Sequence, residues 1–356
     1  MEWNEYKDKF YHFAKYHNKT DNYISACLNY AEFIFSKNIP VIYDANHFSQ
    51  LVGYHQNYIM KVSNSQRSFY REFKIPKKNK NEYRYIHEPL PNLKVIQRWI
   101  LDEILNNLTP SAFTKAFRTG YSIKDNAKYH RKQEKVLTID IKDYFKSIDY
   151  DKVFSYFRSL GYSKQVAVIL SKICTLDDEL PQGAPTSPML SNLITLRLDH
   201  RISRFASKHG IRYTRYADDL TLSGQFNEGF VINFLRNVLL SEGFLINEKK
   251  TRVRKQNQQQ EVTGIVVNEK LQASKKYRRE LRQSMYYIKR YGFDNHVSRM
   301  DIENKLQYLY HLLGKTNFIL NINPHDTEAQ ESFIYLKQLL LQHKLKNSIN
   351  VTDHID

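Results

Sequence analysis

Two aspartates stand side by side in Tyr216-Ala217-Asp218-Asp219, within a run, Ile211–Gly224, that reads IRYTRYADDLTLSG. β-favouring residues on both sides, Arg212–Ala217 and Leu220–Ser223, predict a hairpin that turns at the acids. Neighbouring side chains on a strand point to opposite faces, but at a hairpin tip both carboxylates can reach one polyvalent cation. Two adjacent anions in a mostly apolar strand pair cost stability unless something cationic neutralises them. Taken alone, these four residues fit a solvated Asp-Asp turn as well as a metal site.

Asp140 follows the apolar run Val136-Leu137-Thr138-Ile139 and leads into Ile141-Lys142-Asp143-Tyr144-Phe145. A buried strand that delivers a carboxylate near its C-terminal end suits a metal or phosphate site; capping the next helix is the alternative. Leu180–Pro188, LPQGAPTSP, is a rigid turn opening a helical pattern over Met189–Ile202, and such a turn exposes backbone N–H groups to a nucleotide or a template backbone.

These residues need elements to carry them. Residues 1–55 show apolar positions at spacings of three and four, which predicts amphipathic helices. Tyr70–Lys78 and Tyr83–Ile86 read as a basic hairpin. It fits a solvated edge guarded by lysines, or a clamp holding Lys77 and Arg84 over a triphosphate. Leu93–Leu105 and Phe230–Ser241 read as amphipathic helices, residues 150–180 as a helical crossover, and Leu245–Val253 and Glu261–Asn268 as short strands. The order strand, helix, hairpin, helix, strand predicts an α+β layer with helices on one face. From Ser274 the pattern is helical and basic, with Lys275, Lys276, Arg278, Arg279 and Arg282 among tyrosines, then Gly292 as a stop, then helices near 300–313 and 326–345.

The chain has 356 residues, room for two or three domains. Its 54 Lys+Arg against 37 Asp+Glu give a net charge of +17, which favours a polyanionic partner such as nucleic acid or an anionic membrane surface. Tyrosine is abundant, as base and sugar stacking would use. Cys27 and Cys174 lie too far apart in sequence for a zinc motif or a disulfide framework. The N-terminus does not read as a signal peptide and no apolar run approaches a membrane span, so a cytoplasmic setting is expected.

In this order the segments resemble the motifs of reverse transcriptases. Ile139-Asp140…Phe145, Pro181-Gln182-Gly183…Ser187-Pro188, Tyr216-Ala217-Asp218-Asp219 and Val262-Thr263-Gly264 carry the resemblance, over roughly residues 70–315. Asn126-Ala127-Lys128-Tyr129-His130 fits the NAxxH element of bacterial retron reverse transcriptases, and Val262-Thr263-Gly264 fits their VTG element. Tyr121 departs from the pattern, since many relatives carry a basic residue there.

The resemblance implies a right-hand polymerase with fingers, a palm of antiparallel sheet backed by helices, and a helical thumb. On that plan residues 1–60 form a helical extension and 61–135 the fingers with the start of the palm. Residues 136–270 form the palm, with a fingers insertion around 150–190, and 271–356 the basic thumb. It implies Asp140, Asp218 and Asp219 as catalytic carboxylates that, with the Ile141 carbonyl, hold two Mg2+ ions about 4 Å apart. Lys77, Arg84, Asp143, Tyr144, Phe145 and Gln182 would surround the incoming deoxynucleotide, with Phe145 excluding a ribose 2′-OH. Lys250, or its neighbour Lys249, would give a proton to the departing pyrophosphate. Asn126, His130, Thr263, Gly264, Lys275, Lys276, Arg278, Arg279 and Arg282 would meet RNA.

The family copies its own structured noncoding RNA from an internal guanosine 2′-OH, leaving branched RNA–DNA, multicopy single-stranded DNA. It commonly works beside an effector protein against phage. Too little sequence follows the expected thumb for a nuclease domain, so template removal is expected of a host ribonuclease H. The competing expectations are a non-retron defence or group II intron-like reverse transcriptase, and an RNA-binding scaffold that restrains an effector.

Overall fold

The computed structural model describes residues 2–76 and 82–352, and side chains as far as residue 343. The chain opens with helices Trp3–Tyr16, Asp21–Phe35, Ala45–Val52 and Gln56–Asn64, as its periodicity predicts. Thr20 and Asp44 cap the second and third by accepting from a backbone N–H three residues on. Ile34, Phe48, Ile59 and Val62 from these helices join the same buried cluster as Val166 and Leu170 of helix Lys164–Cys174. The N-terminal region is therefore part of the main core.

A hairpin follows, β1 (Tyr70–Pro76) and β2 (Tyr83–Pro89), antiparallel, with Ile75 opposite Arg84. Lys77, expected on its first strand, lies outside the described residues. Helix Pro91–Trp99 continues through a π turn, Ile100–Ile104, and buries Leu93, Ile96, Ile100 and Ile104 as one stripe.

The site rests on a five-stranded antiparallel sheet. Its strands are β3 (Lys135–Lys142), β4 (Arg212–Tyr216), β5 (Asp219–Gly224), β6 (Leu245–Ile246) and β7 (Arg252–Lys255). They run in the order β4-β5-β3-β6, with β7 also on β3. Leu137, Ile139, Leu220 and Leu222 pack with Leu198 and Ile202 of helix Leu196–Lys208 and Leu235 of helix Glu228–Ser241. The helix expected over Met189–Ile202 is in fact two, Ser187–Ile194 and Leu196–Lys208. They part at Thr195, whose hydroxyl bonds back to the Ser191 carbonyl.

A smaller sheet, β8 (Glu261–Val262), β9 (Ile265–Val266) and β10 (Gln272–Ala273), belongs to a second core. Val262, Ile265 and Val267 pack there with Leu281, Met285 and Ile288 of helix Lys275–Tyr291 and Leu309 and Leu312 of helix Lys305–Ile322. Val262, Ile265 and Val267, on the palm side of the boundary expected at 270, thus turn their side chains toward the C-terminal helices. Gly292, at φ +84, ends the basic helix as expected. Helices Phe293–Arg299, Lys305–Ile322 and Thr327–Thr352 then replace the two expected.

Candidate active site

β4 and β5 join through the two-residue turn Ala217–Asp218, with Tyr216 opposite Asp219. Ala217 has φ +58, a left-handed conformation that costs an L-residue about 1–2 kcal/mol. Two bonds hold the turn there: Arg215 Nη1 donates to the Ala217 carbonyl at 3.1 Å, and the Ile141 N–H to the Asp218 carbonyl at 2.9 Å. Asp219 opens β5 directly opposite Asp140 of β3. Residues so paired share a face of the sheet, their Cβ atoms about 5 Å apart. Asp140 and Asp219 therefore face the same way, with Asp218 on the adjoining turn.

The electrostatics show how close the three acids are. Burial, and then the charge of Asp140, raise the Asp218 carboxyl above its ordinary range. Asp219 is pushed up to about 6 by burial, with Asp218 and Asp140 adding to it. Asp140 accepts from Asn247 Nδ2 and from Lys250 Nζ, each at 2.9 Å. Of the two lysines left open by the sequence, Lys250 is the one bonded to the acids, and that hydrogen bond raises its own pKa. Asn247 is new, since an amide in a basic turn carries no signal in the sequence.

Among the described residues no three acidic, histidine or cysteine side chains form a closed ligating cluster. The donor set nevertheless fits a hard divalent cation: its side-chain oxygens are all carboxylate, and two of the three acids are held partly against ionisation by burial and, after that, by the charge of the neighbouring acids. Ile141 turns its side chain into the core, so any ligating role falls to its backbone.

Next to the acids the chain turns at Asp143, exposed and at φ +48. Phe145 is half-buried, edge-on to Tyr144 at 5.5 Å between ring centres and 6.2 Å from Phe117. Tyr144, expected at the nucleotide, is instead buried, its hydroxyl bonded to Arg215 and the Ser191 carbonyl. Gln182 is half-buried, and its carbonyl accepts from the His87 N–H of β2 at 2.8 Å. Gly183, at φ +127, is required there, because a Cβ would lie 2.6 Å from the His87 carbonyl oxygen. The β1–β2 hairpin is thus seated on the Pro-Gln-Gly turn. Arg84 is exposed on β2, and its charge reaches the site, favouring the ionised form of Asp218.

The residues expected at RNA divide. Asn126 and His130 are fully buried and cannot be surface contacts as placed. His130 bonds the hydroxyls of Ser223 and Thr214 at 2.7 Å, and Asn126 accepts from Thr214 at 2.6 Å. Asn126 also lies 3.4 Å from the Thr263 hydroxyl, so these residues brace the β4–β5 hairpin against the Thr263-Gly264 turn. Gly264 is exposed at that turn, with φ +83. Lys275, Lys276 and Arg279 are exposed on the basic helix. Arg278 and Arg282 are paired with Asp326 and Glu328, which ties that helix to the start of helix Thr327–Thr352.

Residues 75–267 match the reverse transcriptase (RNA-dependent DNA polymerase) family. The retron Ec86 reverse transcriptase of Escherichia coli is 36% identical over 285 residues, covering 79% of this chain and 84% of that protein. The chain belongs to the retron reverse transcriptases. The retron Mx65 reverse transcriptase of Myxococcus xanthus is 32% identical, covering 78% of this chain and 67% of that one. The retron Ec83 reverse transcriptase of Escherichia coli is 28% identical, covering 74% of this chain and 86% of that one. Among solved structures, telomerase from Candida albicans aligns with 77% of this chain and 63% of its own at a TM-score of 0.43 and 12% identity, too loose a likeness to bear on the site. As a retron reverse transcriptase the chain is an RNA-directed DNA polymerase with the α+β right-hand fold, and the five-stranded sheet is its palm.

Proposed function

We propose that this retron reverse transcriptase copies its own structured RNA into DNA at the Asp140, Asp218 and Asp219 site. Synthesis starts from an internal guanosine 2′-OH and leaves a branched RNA–DNA product. The observation that carries the site is the register that sets Asp140 against Asp219 beside the Asp218 turn. These three carboxylates, with the Ile141 backbone, would hold two Mg2+ ions, which when bound activate the primer hydroxyl and neutralise the triphosphate.

The chain's own residues do the rest. Arg84, with Lys77, holds the triphosphate from the hairpin, and Asp143 and Gln182 border the same space. Phe145 fills the volume a ribose 2′-OH would need. Lys250 protonates the departing pyrophosphate. Gly264, Thr263, Lys275, Lys276 and Arg279 meet the RNA through shape and phosphate contacts. Arg278 and Arg282 support that face through their ion pairs.

The retron assignment extends to a setting. The enzyme works in the cytoplasm beside an effector protein in defence against phage, and a host ribonuclease H removes copied template. Among the described residues no helix is long and apolar enough to cross a membrane. The test is the nucleic acid that purifies with the protein. Branched DNA that shortens with ribonuclease and yields to a debranching enzyme is the expected result; unbranched or protein-linked DNA would overturn the priming mechanism.

A further inference from the structure

Beneath the acidic turn lies an ion pair that none of these roles uses. Arg215 and Asp199 are both fully buried and meet in a two-pronged contact, Nε to Oδ1 at 2.8 Å and Nη2 to Oδ2 at 2.7 Å. Tyr213 donates its hydroxyl to the same Oδ1 at 2.7 Å. A buried pair of this kind commonly adds little stability over an apolar replacement, so attention passes to what its remaining edge touches. Nη1 donates to the Ala217 carbonyl at 3.1 Å, to the Tyr144 hydroxyl at 2.9 Å and to Asn192 Oδ1 at 3.3 Å.

We propose that Arg215, held by Asp199, is a positioning residue that couples the aim of Asp218 to the seating of Phe145. One guanidinium nitrogen grips the left-handed residue that sets the acidic turn and the tyrosine that stands edge-on to the sugar-facing ring. Burial works against a charge here, but Asp199 outweighs it and keeps the guanidinium ionised. The planar fork is needed: it binds the carboxylate with one edge and still presents Nη1 to the turn, which a single ammonium cannot do. A shift in the guanidinium therefore moves metal ligand and sugar filter together.

This inference rests on the roles proposed for Asp218 and Phe145, and the test separates the two. Single-nucleotide extension by the full chain on a primed RNA template is run with deoxy- and ribonucleotides, and thermal melting is measured alongside. Asp218→Asn and Phe145→Val are the controls. Arg215→Lys is expected to lower kcat by about 100-fold, as a misplacement near 1 Å does, and to narrow sugar discrimination by about tenfold. Tyr144→Phe removes one hydroxyl and keeps the ring. It is expected to relax discrimination while kcat for the deoxynucleotide stays near the parent's.

A folded Arg215→Lys protein with only a lower melting temperature, and the parent's kcat and discrimination, overturns the proposal. If Arg215→Lys does not fold, Tyr144→Phe decides, and unchanged discrimination overturns the coupling. Controls that behave as expected while both of these variants match the parent leave the site intact and remove only the coupling. An active Asp218→Asn, or a Phe145→Val that still rejects ribonucleotides, removes the site assignment and the inference with it.

Discussion

The Lys250 ammonium lies 2.9 Å from Oδ2 of Asp140, so the proposed proton donor and a proposed cation ligand share one hydrogen bond. The two roles compete for the same oxygen. Lys250→Met should therefore lower the Mg2+ concentration for half-maximal activity while it lowers kcat. The side chain is 62% exposed, and screening holds the gain in cation affinity to about two- to fivefold. A magnesium titration of initial rates checks it; weaker Mg2+ binding in the variant would contradict the competition.

Asp218→Asn keeps the shape of the turn and removes one charge. DNA synthesis should be lost, while RNA binding measured by filter retention stays within about twofold, because the exposed basic helix is untouched. Synthesis at the parent rate would take Asp218 out of the active site.

Phe145 is half-buried and reaches Tyr144 and Phe117 with its ring. Phe145→Val opens that volume. Ribonucleotide incorporation should rise by about 10- to 100-fold, the range expected when a steric filter loses a few carbons. Steady-state kinetics with matched deoxy- and ribonucleotides measure it, and an unchanged ratio would make the ring core packing.

Asp219 has its carboxyl pushed up to about 6, and Asp218 is raised as well. At limiting Mg2+, activity should fall as pH drops through about 6, and added Mg2+ should move that limb to lower pH, since cation and proton compete. Stability runs the other way. A carboxyl whose folded pKa is raised contributes stability that is full below its unfolded pKa and is lost as pH rises through about 6. Asp219→Asn without added cation should thus melt above the parent at pH 7.5, the gap closing near pH 4. Melting curves across that range test the sign.

His130 behaves oppositely. Burial depresses its pKa to about 3, against 6.5 for an exposed histidine. Its contribution to stability is full above pH 6.5 and is lost as pH falls toward 3, because the unfolded chain takes up the proton first. His130→Gln should lower stability at pH 7.5 and flatten its slope between pH 6 and 4. Parallel slopes for variant and parent in denaturant titrations would rule this out.

The strand that carries Asp140 and the hairpin that carries Asp218 and Asp219 were legible because apolar patterning and turn residues mark both before any contact is known. The same holds for the basic helix and its glycine stop. The burial of Asn126 and His130 was not legible, because a motif says which residues recur and not which way their side chains face; here they point under the hairpin. Asp199 and Arg215 were missed for a related reason. Sixteen residues separate them, and only the packing of helix Leu196–Lys208 on β4 brings the two charges together. The one hint was an arginine two residues from Tyr213, and so on the same face of that strand.

The second core draws in Ala127 and Val136 from the palm side, and Gln260 bonds the carbonyls of Gln133, Glu134 and Arg254 across the same seam. The C-terminal lobe is therefore not a detachable module. A chimaera that exchanges the C-terminal lobe between two retron enzymes has to transplant the 123–136 segment along with everything from 260 onward. Cutting at the end of the family match, residue 267, would split β8 and β9 from the helices that bury them.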